Sequence, residues 1–157
     1  MNLLRLITLV LALGLGASSA FAELELVRVW PGYRDAASFT SASEYFQGPA
    51  AKSNQLAHRT QPEAREGYYW LVRAKSPVAI SAAKIRLEVT RTDSTEPSVY
   101  EFDADLASGS HAIPVGLTGS DWVDATEAPV AWRLTIFSHE GSTLATKSSF
   151  LWQETTD

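Results

Sequence analysis

Apolar and polar side chains alternate along much of the chain after residue 22, which is the pattern of β-strands with one face in a core. The alternation is clearest over residues 83–92, where Ile85, Leu87 and Val89 fall on one side and polar residues on the other. Ser98–Leu106 has the same period and follows after a turn. The two segments therefore predict a β-hairpin with one wet face.

A second hairpin is predicted near the carboxyl end. Val130–Phe137 alternates, a polar turn of five residues follows, and Thr143–Trp152 returns as a strand. Gly141 lies in that turn, where a hairpin commonly needs a residue with positive φ. We therefore expect Gly141 to adopt that conformation.

The remaining strand candidates are less regular. Tyr68–Ala74 is apolar at almost every position, as expected of a central strand that is buried on both sides or covered by a loop. The other candidates are Leu24–Trp30, which ends at a Pro31-Gly32 turn, a short strand within Gln55–Thr60, and Ser110–Val115. Pro114 interrupts the last of these and predicts an edge position or a strand end.

One short helix is predicted near residues 36–47. Asp35 can cap it, and Phe39 and Phe46 belong to one apolar stripe before Gly48-Pro49 ends the segment. Residues 47–67 then form the longest irregular stretch. Loops of that length in compact domains are commonly binding surfaces or mobile connections, and the sequence leaves both interpretations open.

These elements indicate an all-β fold. Seven or eight strands at regular spacing, with one short helix and no βαβ rhythm, favour an antiparallel β-sandwich over a parallel sheet. We expect one domain over residues 23–157, a length that can bury a core without disulfides.

Residues 1–22 have the three-part pattern of a cleavable export signal. Arg5 supplies positive charge, residues 6–15 are almost entirely apolar, and Ala20-Phe21-Ala22 places small side chains where a signal peptidase admits them. A buried core helix is the alternative, but it would show a polar face. We expect cleavage before Glu23.

Charge and Cys content bear on the type of binding partner and on the cellular location of the protein. The chain carries 13 Lys and Arg against 18 Asp and Glu, net −5; without Arg5 the balance is 12 against 18, net −6. Basic residues scattered along an acidic chain argue against nucleic acid. Cys is absent, which excludes disulfides and lipid attachment through Cys. We therefore expect a periplasmic or secreted protein with no membrane anchor after cleavage.

The segments Tyr68–Ala74, Ala83–Leu106 and Val130–Trp152 together resemble the strand succession of immunoglobulin-like and fibronectin-III-like domains of bacterial exported proteins. The runs VRVWPGYR and RTQPEAREGYYWLVRAK also resemble segments of small exported proteins of Gram-negative bacteria. The resemblance implies a sandwich and export, and it implies no particular activity.

Motifs that carry catalysis or metal binding are missing from the sequence. No Gly-x-Ser-x-Gly string occurs, and His58, His111 and His139 are far apart along the chain. Without Cys or a His-x-x-x-His pair, the common zinc patterns are excluded. Asp103 and Asp105 faintly resemble a calcium loop, but alternating carboxylates on a wet strand face explain them better. We expect no enzyme activity, metal or cofactor.

The aromatic residues say more about a possible binding function than the catalytic and metal-binding motifs do. The chain has five Trp and five Tyr, and several of them fall at strand ends or in loops. Their flat rings could stack on sugars or anchor a protein partner. The candidate binding residues are Trp30, Tyr33, Tyr45 and Trp122. The alternative is that these rings fill the open ends of the sandwich.

The sequence thus predicts an exported, non-catalytic binding or assembly module. Its partner is expected to be another envelope or secreted protein, met through a sheet edge or through the aromatic loops. The alternative is a carbohydrate-binding domain that uses loop aromatics, which requires Trp30, Tyr33 or Trp122 to lie exposed and coplanar.

Overall fold

The computed structural model describes residues 24–37 and 57–152, and within these ranges the chain is an all-β sandwich. Its strands are β1 Glu25–Arg34, β2 His58–Arg59, β3 Gly67–Ser76, β4 Ile80–Thr90, β5 Ser98–Leu106, β6 Gly109–Thr118, β7 Ala131–Phe137 and β8 Thr143–Ser148. The first sheet has the order β1-β3-β6-β2, and the second has the order β5-β4-β7-β8. All neighbours are antiparallel except β2 and β6, which form a short parallel pair.

The core lies between the two sheets and is built from the alternate positions that face inward. On β4, Ile85, Leu87 and Val89 are fully buried, as the alternation predicted. The facing strand β3 contributes Trp70 and Val72, also fully buried. Because successive side chains point to opposite faces, the same strands leave a polar or charged row on the outside of each sheet.

Both predicted hairpins are confirmed. β4 pairs with β5, and β7 pairs with β8 through a turn in which the Ser138 amide donates to the Ser142 carbonyl at 2.8 Å. Gly141 has φ +84°, in the left-handed region that favours glycine.

Strand β1 extends beyond its predicted end at the Pro31-Gly32 turn. The backbone stays extended because pairing with β3 continues, with Pro31 opposite Trp70 and Gly32 opposite Tyr69. Proline is tolerated there since β3 is the only neighbour of β1 in the described part of the sheet, so one side of β1 needs no donors.

Strand β6 likewise runs through Pro114 and continues to Thr118. On the side away from β3, the one described strand that pairs with β6 is the two-residue β2, which begins opposite Val115, directly after the proline. At Pro114 itself, the side of β6 away from β3 has no paired strand among the described residues, as expected of an edge position.

Several predictions fall on other parts of the chain. The export signal at residues 1–22, most of the predicted helix and Tyr45 lie outside the described residues. Of the helix, Ala36 and Ala37 are described and are helical. In the described ranges no helix has the length and apolarity needed to cross a bilayer.

Candidate binding surface on the first sheet

Strand β1 places two of the predicted aromatic residues on opposite faces of the first sheet. Trp30 points outward and is 36% exposed, whereas Tyr33 packs against the core. Their spacing of three residues explains this, because only residues an even number apart share a face of a strand. Partial desolvation, together with the nearby charges of Glu66 and Asp35, raises the pKa of the Tyr33 hydroxyl. The two rings do not form a common platform.

Trp122 fills the end of the sandwich. It is only 2% exposed and packs on Tyr68, with ring centroids 4.7 Å apart. The Arg91 guanidinium lies 4.3 Å from the ring centroid of Trp122, and the indole N–H donates to the Asp124 carbonyl at 3.1 Å. Its ring is thus occupied by the protein itself, so Trp122 offers no stacking surface to a ligand.

The outer side of the first sheet gathers three arginines around Trp30. The register sets Arg28 of β1 opposite Arg73 of β3, and Trp30 opposite Leu71. Arg34 lies four residues beyond Trp30 on the same side of β1, since side chains alternate. We call the surface formed by Arg28, Trp30, Arg34, Leu71 and Arg73 the arginine face.

A shallow cleft of about 250 Å³ opens on the arginine face. Its walls are Trp30, Arg34, Leu71, Arg73 and Ala112. The Arg28 guanidinium lies 5.0 Å from the Trp30 ring centroid, a distance typical of cation–π contact. One side of the indole is therefore in contact with a cation, and the cleft beside it has two further guanidinium groups.

In the part of the chain that the structure describes, none of these arginines is neutralised by a carboxylate. Within residues 24–37 and 57–152, no ion pair involves Arg28, Arg34 or Arg73. The register brings the carboxylate of Glu25 to the far end of β1, opposite Lys75. No ion pair joins these two side chains in the described ranges. Arg28 and Arg73 are like charges directly opposite each other, an arrangement that destabilises a sheet.

The outer side of the second sheet carries about as much charge, but there the charges are paired. The register sets Lys84 opposite Asp103, Arg86 opposite Glu101 and Glu88 opposite Arg133. We call the surface formed by these six residues the paired face.

The distances on the paired face are those of ion pairs. Lys84 Nζ lies 3.6 Å from Asp103, Arg86 lies 2.8 Å from Glu101, and Arg133 donates twice to Glu88, at 2.6 and 2.9 Å. The hydrogen bond and charge of Arg86, with Lys84 nearby, lower the pKa of Glu101. This face thus satisfies its own charges.

Tyr69 borders the arginine face on β3, at the position between Leu71, opposite Trp30, and Gly67, opposite Arg34. It lies between Gly32 and Gly116 in the register, and a Cβ atom on Gly116 would come within 2.3 Å of its ring. Its hydroxyl accepts a hydrogen bond from Arg59 Nε at 2.8 Å and donates one to the Arg65 carbonyl at 2.7 Å. Burial raises the pKa of that hydroxyl despite the nearby Arg59. Gly116 thus makes room for one buried aromatic side chain on the outer side of the sheet.

The other candidate groups lie apart from the arginine face. Asp103 belongs to the paired face, and Asp105 accepts the Ala82 amide at 2.8 Å. His58 is half-buried in an edge-type ring contact with Phe102, and burial lowers its pKa. Both ring nitrogens of His111 are buried and have no hydrogen-bond partner among the described residues. The described part of the chain contains no group of three or more His, Asp or Glu side chains placed to hold a metal ion.

Sequence reasoning missed the arginine face because it counted basic residues along the chain. They are scattered in that order, but two strands bring three of them together in space. The available signal was parity: Arg28, Trp30 and Arg34 are separated by even numbers of residues, and so are Leu71 and Arg73. Parity shows which residues of one strand share a face, but it does not show that β1 pairs with β3. A single sequence does not specify that pairing.

No protein-family model matches the sequence, and a comparison with curated proteins gives no match either. Among solved structures, the chain is similar to a β-D-glucoside glucohydrolase from Trichoderma reesei, with 11% identity and a TM-score of 0.35. That alignment covers 82% of this chain and 19% of the enzyme, so the chain spans about a fifth of the enzyme's length. A similarity at this level supports no conclusion about activity.

Proposed function

We propose that this protein is an exported, non-catalytic binding module, an immunoglobulin-like or fibronectin-III-like sandwich that holds an acidic partner on its arginine face. The observation that carries the proposal is the contrast between the two outer surfaces. One neutralises its charges internally, and the other keeps Arg28, Arg34 and Arg73 without ion-pair partners among the described residues, around an exposed indole.

The energetics favour a ligand at that surface. Like charges directly opposite each other cost roughly 0.2–1 kcal/mol in a sheet, and an acidic ligand would remove that cost on binding. Arginine also presents a planar fork of donors that matches carboxylate geometry in two parallel hydrogen bonds. Because the chain as a whole is acidic, a concentrated cationic surface supports an attraction specific to this side.

A face fits this role better than the β1 edge does. Adding a partner strand to an edge needs a regular ladder of donors and acceptors. β1 has a bulge between Leu26 and Arg28 and a proline at position 31, which both interrupt that ladder. The bulge and the proline disfavour the addition of a partner strand to the β1 edge. The outward side chains of the arginine face are therefore the better candidates for binding groups.

The test compares the two faces directly. The variant R28Q/R73Q removes two charges from the arginine face, and K84Q/R86Q removes two from the paired face, so net charge changes equally. Affinity for two acidic polymers, polygalacturonate and polyglutamate, is measured by calorimetry at low and moderate salt. We expect R28Q/R73Q to weaken binding about tenfold or more and K84Q/R86Q to change it by less than about twofold.

The proposal is wrong if the protein binds neither polymer at low salt, or if both double variants weaken binding equally. Thermal unfolding of each variant checks that a loss of binding is not a loss of fold.

A further inference from the structure

We infer that the cleft beside Trp30 binds a sugar ring that carries a carboxylate, the uronic acid unit of an acidic polysaccharide. The inference rests on the proposed function and names its ligand class. Three features of the cleft support it: the type of side chain, the size of the opening and the scarcity of other apolar groups around it.

The side chains suit the two chemistries of a uronic acid. A pyranose ring has an apolar side of C–H groups, and Trp30 offers an exposed aromatic surface for it to lie against. Leu71 and Ala112 continue the apolar part of the wall. Arg34 and Arg73 line the same cleft and can pair with the ring's carboxylate. A neutral sugar would leave both guanidinium groups without a partner.

The dimensions fit one ring of a longer chain. A volume of about 250 Å³ lies below the range of roughly 300–1,000 Å³ in which proteins enclose drug-sized ligands. The charged row is longer than the cleft, since β1 rises about 3.3 Å per residue and Arg28 to Arg34 therefore spans about 20 Å. A polymer can place one unit in the cleft and others along the row, which a single small anion cannot do.

An acidic protein partner fits less well. Stable protein interfaces bury about 1,200–2,000 Å² around a core of several large apolar or aromatic side chains. In the described ranges, the large hydrophobic residues exposed on β1 and β3 are Val27 and Trp30, and Trp30 is the one aromatic residue of the two. The most exposed apolar residues, Phe150 and Val123, are on neither β1 nor β3. A single aromatic ring among arginines is suited to a single stacked ring of the ligand.

The experiment varies the ligand and the protein together. Polygalacturonate is compared with its fully methyl-esterified form, which keeps the sugar rings and removes the charge, and with polyglutamate, which keeps the charge and removes the rings. Binding is measured by calorimetry for the unaltered protein, W30A, W30F, R73Q and the matched control R86Q from the paired face. Thermal unfolding confirms that each variant is folded.

We expect polygalacturonate to bind at least about tenfold more tightly than either comparison polymer, because each lacks one of the two interactions. W30A and R73Q should each weaken its binding about fivefold or more. W30F keeps a flat ring and should retain more affinity than W30A. R86Q should leave binding within about twofold of the unaltered protein.

Two results would overturn the inference, and they differ in what they say of the proposed function. If polyglutamate binds as tightly as polygalacturonate and W30A has no effect, the arginine face holds acidic chains in general, and the proposed function stands without the sugar. If no polymer binds, both fail. Equal binding of the methyl-esterified polymer would also overturn the inference, because the carboxylate would then contribute nothing.

Discussion

The outer faces of the two sheets are built in the same way, but their basic side chains have different neighbours. Both arise from strands whose alternate residues face water, and both carry three or more basic side chains. On the paired face each basic residue lies opposite a carboxylate, whereas on the arginine face Arg28 lies opposite Arg73. Charged residues on the solvent-facing side of a strand can therefore form ion pairs within the sheet or remain available to a ligand. The cross-strand register decides between these two outcomes.

The paired face needs no partner, since its ions stabilise one another in register. The arginine face carries a small energetic cost that an acidic ligand can remove. Substitutions on and beside each face test this difference between the two sheets.

The largest effect is expected beside the arginine face, at Gly116 on the outer side of β6. The substitution Gly116→Ala places a Cβ about 2.3 Å from the ring of Tyr69, which is only 2% exposed and hydrogen-bonded at its hydroxyl. We expect overpacking to cost about 2 kcal/mol of unfolding free energy. Chemical denaturation measures it. Gly32→Ala is the matched control on the other side of Tyr69, because a Cβ there meets nothing within 4 Å. Equal losses in the two variants would show that Tyr69 does not depend on that space.

On the paired face, Glu88→Gln should lower the unfolding free energy by about 1–2 kcal/mol, since it weakens two charge-assisted hydrogen bonds to the half-buried Arg133. The side chain of Glu88 is only 13% exposed, so water replaces the lost contact poorly. Arg73→Gln, a charge removal on the arginine face, should cost nothing. The contrast between the faces is contradicted if Arg73→Gln destabilises the protein as much as Glu88→Gln.

Reversing a single charge on the arginine face should stabilise the protein. Arg73→Glu replaces the repulsion with Arg28 by an attraction across the register pair, and we expect a gain of about 0.5 kcal/mol. The gain should shrink at high salt because the charges are exposed. The equivalent reversal on the paired face, Arg86→Glu, should destabilise by facing Glu101. Denaturation at two salt concentrations measures both, and a loss of stability in Arg73→Glu would contradict the account.

The smallest effect is a pH dependence confined to the paired face. Arg86 lowers the pKa of Glu101 below its ordinary value of 4.5. A carboxyl whose pKa is lower in the folded state stabilises the protein above the ordinary pKa, and that contribution disappears as the pH falls through the folded value. The stability difference between the unaltered protein and Glu101→Gln should therefore be present near neutral pH and shrink steadily below pH 4.5. A difference that does not change with pH would show that Glu101 is not paired in solution.

Much of the fold could be predicted from alternation alone. The hairpins β4–β5 and β7–β8 were predicted because each strand has one apolar side and the turns have their own chemistry, as at Gly141. Strand ends were harder to predict. Pro31-Gly32 has the composition of a turn, but pairing with β3 keeps the backbone extended, and that pairing is a tertiary effect.

The candidate site was less predictable than the fold. Of the predicted aromatic residues, Trp30 lies on the arginine face, whereas Trp122 is buried at the end of the sandwich and Tyr33 packs inward. Composition shows that aromatic side chains are present, but it does not show whether each one faces the core or the solvent. The arginines that complete the site come from two strands about forty residues apart along the chain, so only the register between β1 and β3 brings them together.

A nuclear magnetic resonance titration of the ¹⁵N-labelled protein with a short oligogalacturonate locates the bound sugar directly. We expect the perturbed amide signals to cluster on β1 and β3 around Trp30 and Arg73, and those of β4 and β5 to stay unchanged. Perturbations centred on the paired face, or spread equally over both sheets, would contradict it.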